Sequence, residues 1–238
     1  MPYSHTALSA CLFSICLGAL ASHADAQQSQ TLPAGFDTVD GNGATSFPQN
    51  NANDHTWQWH YDNSNFVASF PILITDISVR AAAPGSTVNA FDFPDWEVTL
   101  IEASTDYQVG FHDPTFANNV LNQTVVRPAG TPWSIPAPIV PSTGATATWI
   151  PMGLTVPMAY DPSLGNDFIV QIRKCGTKTT WGTSMDGASA GAGLNLGNRY
   201  GDTTNCQATM STFQNNEFVP IVKIDYIPAV GLFPSFTA

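Results

Sequence analysis

Apolar and polar residues alternate in short runs along this chain, and no stretch keeps a helical period long enough to read as a helix. The clearest run is residues 168–175. There Phe168, Val170 and Ile172 alternate with Ile169, Gln171 and Arg173, the period of a half-buried strand. Asp161-Pro162 and Gly165-Asn166 precede it as turn chemistry, since Pro presets φ and Gly or Asn tolerates positive φ. His55–Tyr61 alternates in the same way, with His55, Trp57, Trp59 and Tyr61 on one face and Thr56, Gln58 and His60 on the other. Residues 72–80 form another strand, with a bulge expected near Thr75-Asp76 because Ile72 and Ile74 fall out of phase with Ile77 and Val79. Residues 96–103 and 218–227 complete the clear set. Five prolines between residues 127 and 143 confine that region to an edge or a surface excursion. About eight strands joined by Gly, Pro and Asn turns predict an all-β fold, an antiparallel two-sheet sandwich of jelly-roll kind, with a barrel as the alternative.

The termini set the domain limits. Residues 7–21 are apolar and lead to Ala24-Asp25-Ala26, a small-x-small cleavage site, so residues 1–26 read as a secretory signal. The domain is then 27–228, followed by a flexible tail, 229–238. Secretion to the extracellular space or the periplasm is the expected destination, without a membrane anchor.

Composition narrows the partners. Seven basic residues stand against 18 acidic ones, a net charge of −11. That disfavours nucleic acid, whose binding depends on Lys and Arg neutralising phosphate, and anionic membrane surfaces. Cys11 and Cys16 leave with the signal, and the remaining pair, Cys175 and Cys206, reads as a disulfide in an oxidising compartment.

The order of strand and turn motifs also resembles a known group. It runs from Ile74-Thr75-Asp76-Ile77-Ser78-Val79-Arg80 through Asp113-Pro114-Thr115-Phe116-Ala117-Asn118-Asn119-Val120 to Gly165-Asn166-Asp167-Phe168-Ile169-Val170-Gln171-Ile172. This is similar to uncharacterised secreted proteins of environmental bacteria, many of which carry a PEP-CTERM sorting tail. The resemblance spans roughly residues 57–227. It implies a β-sandwich and no catalytic residues. After Ile227 the tail motif is missing, which predicts release rather than surface sorting.

Candidate chemistry is sparse. No Gly-x-Ser-x-Gly elbow occurs. His55 and His60 fall on opposite strand faces, and His112-Asp113 joins either one only if the fold brings them together, so these histidines are expected to be ordinary loop or surface groups. Asp37, Asp40 and Asn42, or Asp186 and Asp202, offer oxygen ligands for a structural calcium. Asp92 and Asp95 flank Pro94 beside Trp96 and could serve a hydrolase. Trp57, Trp59 and Tyr61 either fill the space between the sheets or stack sugar rings, and alternation fits the first at least as well. Trp181 lies in a polar, Gly-rich segment with less reason to pack. With Asp186, Arg199 and Tyr200 in the same segment it forms the expected ligand site, tied at its base by Cys175–Cys206. The expected function is a non-catalytic extracellular protein that binds material such as polysaccharide. The alternatives are a polysaccharide hydrolase acting through an Asp pair or a metal, and a purely structural matrix protein.

Overall fold

The computed structural model describes residues 26–82, 86–108, 112–139, 148–176, 179–189, 196–215 and 217–229. The expected export segment up to residue 25 and the tail from residue 230 lie outside them. In chain order the strands are β1 (Gln28–Leu32), β2 (Gly43–Thr45), β3 (His55–Tyr61), β4 (Ile72–Val79), β5 (Phe91–Phe93), β6 (Asp95–Ala103), β7 (Val120–Arg127) and β8 (Trp133–Ile135). They continue as β9 (Ile150–Pro151), β10 (Met158–Tyr160), β11 (Phe168–Cys175), β12 (Met185–Ser189), β13 (Gly197–Asp202), β14 (Phe213–Asn215), β15 (Phe218–Pro220) and β16 (Val222–Pro228). Among the described residues the only helical pieces are three 3-10 turns, Asn63–Asn65, Phe116–Asn119 and Pro162–Leu164. None is long and apolar enough to cross a membrane.

The fold is an antiparallel two-sheet sandwich, and no closed barrel forms among the described residues. One main sheet has the order β14-β13-β3-β11-β6-β7, the other β1-β16-β4-β10 with β9 also on β4. Two smaller sheets have the orders β15-β12-β2 and β5-β8. The alternation in the sequence explains the core. Trp57, Trp59 and Tyr61 from β3, Val98 and Leu100 from β6, and Phe168, Val170 and Ile172 from β11 face inward. They meet Ile72, Ile74, Ile77 and Val79 of β4 and Val222, Ile224 and Tyr226 of β16. Trp57 and Trp59 are thus core residues. The bulge expected in β4 is present: the register slips between Asp225 and Tyr226, leaving Thr75 unpaired in the ladder, with its hydroxyl donating to Asp225 O at 3.1 Å.

The polar, Gly-rich segment around Trp181, expected to have little reason to pack, instead contains β12 and β13, whose residues are almost all buried. Here glycine serves close packing rather than freedom of the chain. A Cβ on Gly201 would lie 2.4 Å from the Trp57 ring, and one on Gly187 2.4 Å from Phe218 Cζ. Only a residue without a side chain lets these rings rest on the backbone.

Candidate functional site

The polar faces of β3 and β11 point away from the core, and two further segments fold over them. Residues 112–119, including the 3-10 turn, cover His60 and Gln58. Residues 205–211 pass alongside, tied to the first segment by hydrogen bonds from Phe116 N to Thr209 O (3.0 Å) and from Ser211 N to Pro114 O (2.8 Å). Between them lies an open groove of about 590 Å³, within the range of small-molecule sites. Thr56, Gln171 and Arg173 line it from the sheet and Gln123 from β7, while Phe116 and Gln207 stand in its walls.

The wall that carries Gln207 is anchored from several directions. Cys206 is disulfide-bonded to Cys175 at the end of β11, with Cα atoms 5.4 Å apart. Arg173 Nε donates to Cys206 O at 2.8 Å, and Thr56 Oγ1 to Asn205 O at 3.0 Å. Arg173 also pairs with Glu97 at 3.3 Å. The disulfide expected from the sequence is therefore formed, and it braces a groove wall.

Behind the groove runs a buried polar chain. Asn119 Oδ1 accepts from the backbone N–H of Asp113 (2.8 Å), and its Nδ2 donates to Asp113 O (2.9 Å). These backbone groups have fixed roles, so the amide orientation is determined. Asn119 Nδ2 then lies 3.0 Å from His112 Nε2, which must be the acceptor. His112 Nδ1 carries the proton and donates to His60 Nδ1 at 3.1 Å. His60 in turn donates from Nε2 to Asp167 Oδ2 at 2.9 Å. The His112 ring also stacks on Tyr200, centroids 3.7 Å apart and nearly parallel. Burial, followed by the neighbouring His60, pushes the His112 pKa down to about 2, which agrees with a neutral imidazole in this chain.

Asp62, Asp106 and Asp167 place carboxylate oxygens within 4.8 Å of one another, an all-oxygen set of the kind calcium takes. Each also has a structural task. Asp62 caps the turn Asn63–Asn65 by accepting from Ser64 N. Asp167 accepts from Asn63 N and Tyr107 N, and Asp106 from Gln108 N.

The residues expected to form a ligand site do not come together on a surface. Trp181 is fully buried in the main core, its indole donating to Thr183 O. Its polar neighbours in sequence gave no sign of this, because Phe91 and the rest of the core reach it from distant strands. Asp186 is buried in an ion pair with Arg80 at 2.8 Å. Arg199 donates to Thr45 Oγ1 and lies among the rings of Trp57, Phe213 and Phe218. Tyr200 alone lies on the outer sheet face, covered by His112. Of the calcium candidates, Asn42 bonds both ways with the Ser189 backbone and Asp202 accepts from Thr204 and Thr212, while Asp40 Oδ1 is buried without a hydrogen-bond partner. Asp95 accepts from Gly130 N on the surface. His60 and His112, expected to be separate, are brought together because residues 112–119 fold back over β3.

Compared with family models, curated proteins and solved structures, the chain finds no match.

Proposed function

We propose that this protein is an exported binding protein that holds a segment of extracellular polysaccharide in the groove on the outer face of its six-stranded sheet. The observation that carries this reading is the groove lining. Gln123, Gln171, Gln207, Thr56, Thr209 and Arg173 supply donors and acceptors of the kind that read hydroxyl groups, and Ala117, Val120 and Ala208 give apolar patches for ring faces. The lining contains no Asp or Glu, so a carboxylate pair for glycoside hydrolysis has no residues there to act through. The disulfide, and the resemblance to secreted bacterial proteins, agree with an oxidising extracellular setting.

The test is retention of the mature protein on a panel of immobilised polysaccharides. Wild type is expected to be retained on at least one, and a folded Gln123→Ala/Gln171→Ala variant to lose most of that retention. No retention on any polymer would overturn the reading in favour of a structural matrix role. Equal retention of the variant would overturn the assignment of the groove.

A further inference from the structure

Resting on that reading, we infer that the groove selects an acidic saccharide, a chain bearing carboxylate groups, because its polar floor is fixed in a donor-presenting state from behind. The fixing begins at Asn119, whose amide orientation is set by the Asp113 backbone. Its Nδ2, whose two hydrogens go to Asp113 O and His112 Nε2, lies 3.3 Å from Gln58 Oε1. The Phe116 carbonyl, which can only accept, lies 3.4 Å from Gln58 Nε2 and marks it as the donor end, and Gln58 Nε2 donates to Gln171 Oε1 at 2.8 Å. Gln58 is fully buried and cannot reverse without facing N–H groups against N–H groups. With its oxygen held by Gln58, the part of Gln171 left to the groove is its NH₂ group.

The same pattern repeats across the groove. Gln207 Oε1 accepts from Arg173 Nη2, and its NH₂ group contacts Cys175 Sγ at 3.9 Å, which leaves one N–H of the amide unused by these partners. Arg173 has five N–H donors and no acceptor; Cys206 O, Glu97 and Gln207 Oε1 each take one, which leaves two. Three neighbouring lining residues thus offer donors, and two of them are amides that would otherwise present either end. The charge distribution points the same way. The chain carries 18 acidic and 7 basic residues, yet the lining holds one Arg and no carboxylate, and Glu97 pairs with that Arg from outside the lining at 3.3 Å. Donor-rich, carboxylate-free sites suit ligands that accept strongly, and charge-assisted bonds to carboxylate are roughly twice as strong as neutral ones. The overall negative charge opposes a polyanion at long range, but screening within about 8 Å at 0.15 M salt leaves the contacts in the groove to decide.

The experiment measures affinity of the mature protein at 0.15 M salt for three probes: polygalacturonate, a sulfated galactan and a neutral β-glucan. Polygalacturonate is expected to bind at least tenfold tighter than the glucan. Gln171→Glu keeps an oxygen for Gln58 and turns a second one to the groove. It is expected to weaken polygalacturonate tenfold or more and to weaken the glucan by a clearly smaller factor. Gln58→Met, which frees Gln171 to flip, is expected to narrow the difference between the two polymers. Glucan binding equal to polygalacturonate, or full polygalacturonate binding by a folded Gln171→Glu variant, would overturn this inference and leave the groove reading standing. Binding of the sulfated chain alone would overturn the assignment to carboxylate. Binding of none of the three, nor of any polymer in the wider panel, would overturn the groove reading itself.

Discussion

His60 and His112 face each other through their Nδ1 atoms at 3.1 Å, and one proton is shared between two buried rings. The chain of bonds that ends on Asp167 requires His60 protonated at Nε2 and His112 at Nδ1. A long-range nitrogen–proton NMR spectrum at neutral pH should show those two tautomers; the reverse pair would break the chain.

Acid sensitivity follows from the same geometry. Burial and then His60 hold the His112 pKa near 2, and burial and then Lys174 hold that of His55 near 4. Both folded values lie below the ordinary value of 6.5, so the unfolded chain binds more protons below that pH. The stabilisation is present above about pH 6.5 and is lost as pH falls, at most about 1.4 kcal/mol per pH unit for each group. We expect a loss on the order of 2–5 kcal/mol between pH 6.5 and 4, read from urea midpoints. His112→Gln should be less stable at pH 7 but show a shallower decline. An unchanged slope in that variant would assign the acid sensitivity to other groups.

The Cys175–Cys206 bridge closes a loop of 31 residues. In the chain-entropy picture, that contributes about 3–4 kcal/mol. Cys175→Ser/Cys206→Ser should lower stability by about that amount and also weaken polysaccharide retention, because Cys206 O and Asn205 O fasten the groove wall to Arg173 and Thr56. Intact mass after alkylation without reductant checks the bond directly: two alkylatable thiols would refute it.

Trp181 is expected to act through packing. Its truncation to Ala should cost about 3–5 kcal/mol, the range for large aromatic residues in cores, while ligand retention below the melting temperature persists. A Trp181→Ala protein as stable as wild type would contradict the buried position.

Much of this fold is legible in the alternation of its strands. Phe168, Val170 and Ile172 face inward as their period requires, and the phase shift around Ile74 and Ile77 marks the bulge at Thr75. The same alternation already sets Gln58, His60, Gln171 and Arg173 on the opposite face. What it lacks is the covering: nothing local says that residues 112–119 return over that face and convert polar, solvent-type positions into a buried chain and a groove. The Gly-rich segment misleads for a related reason. Gly187 and Gly201 look like loop residues until Phe218 and Trp57 are placed against them. Asp186 reads as a ligand because its partner, Arg80, lies 106 residues away.

The Arg80–Asp186 pair supplies the last test. Arg80 donates to Asp186 Oδ2 from Nε (2.8 Å), to Phe36 O (3.0 Å) and to Val39 O (2.6 Å), and Gly41 N donates back to the Asp186 carboxylate at 3.1 Å. Both charged side chains are fully buried. Removing one leaves the other as an unpaired buried charge, so Asp186→Ala should cost about 3–5 kcal/mol. Replacing both by apolar residues removes that penalty, and Arg80→Met/Asp186→Leu should recover much of the stability lost in the single variant. The two ions also hold residues 36–41 against β4 and β12. The double variant should therefore unfold near the wild-type denaturant midpoint yet exchange the Gly41 amide proton much faster. If Asp186→Ala costs less than about 1 kcal/mol, the carboxylate is not buried with an obligatory partner. If the Gly41 amide stays protected in the double variant, the pair does not fasten this segment.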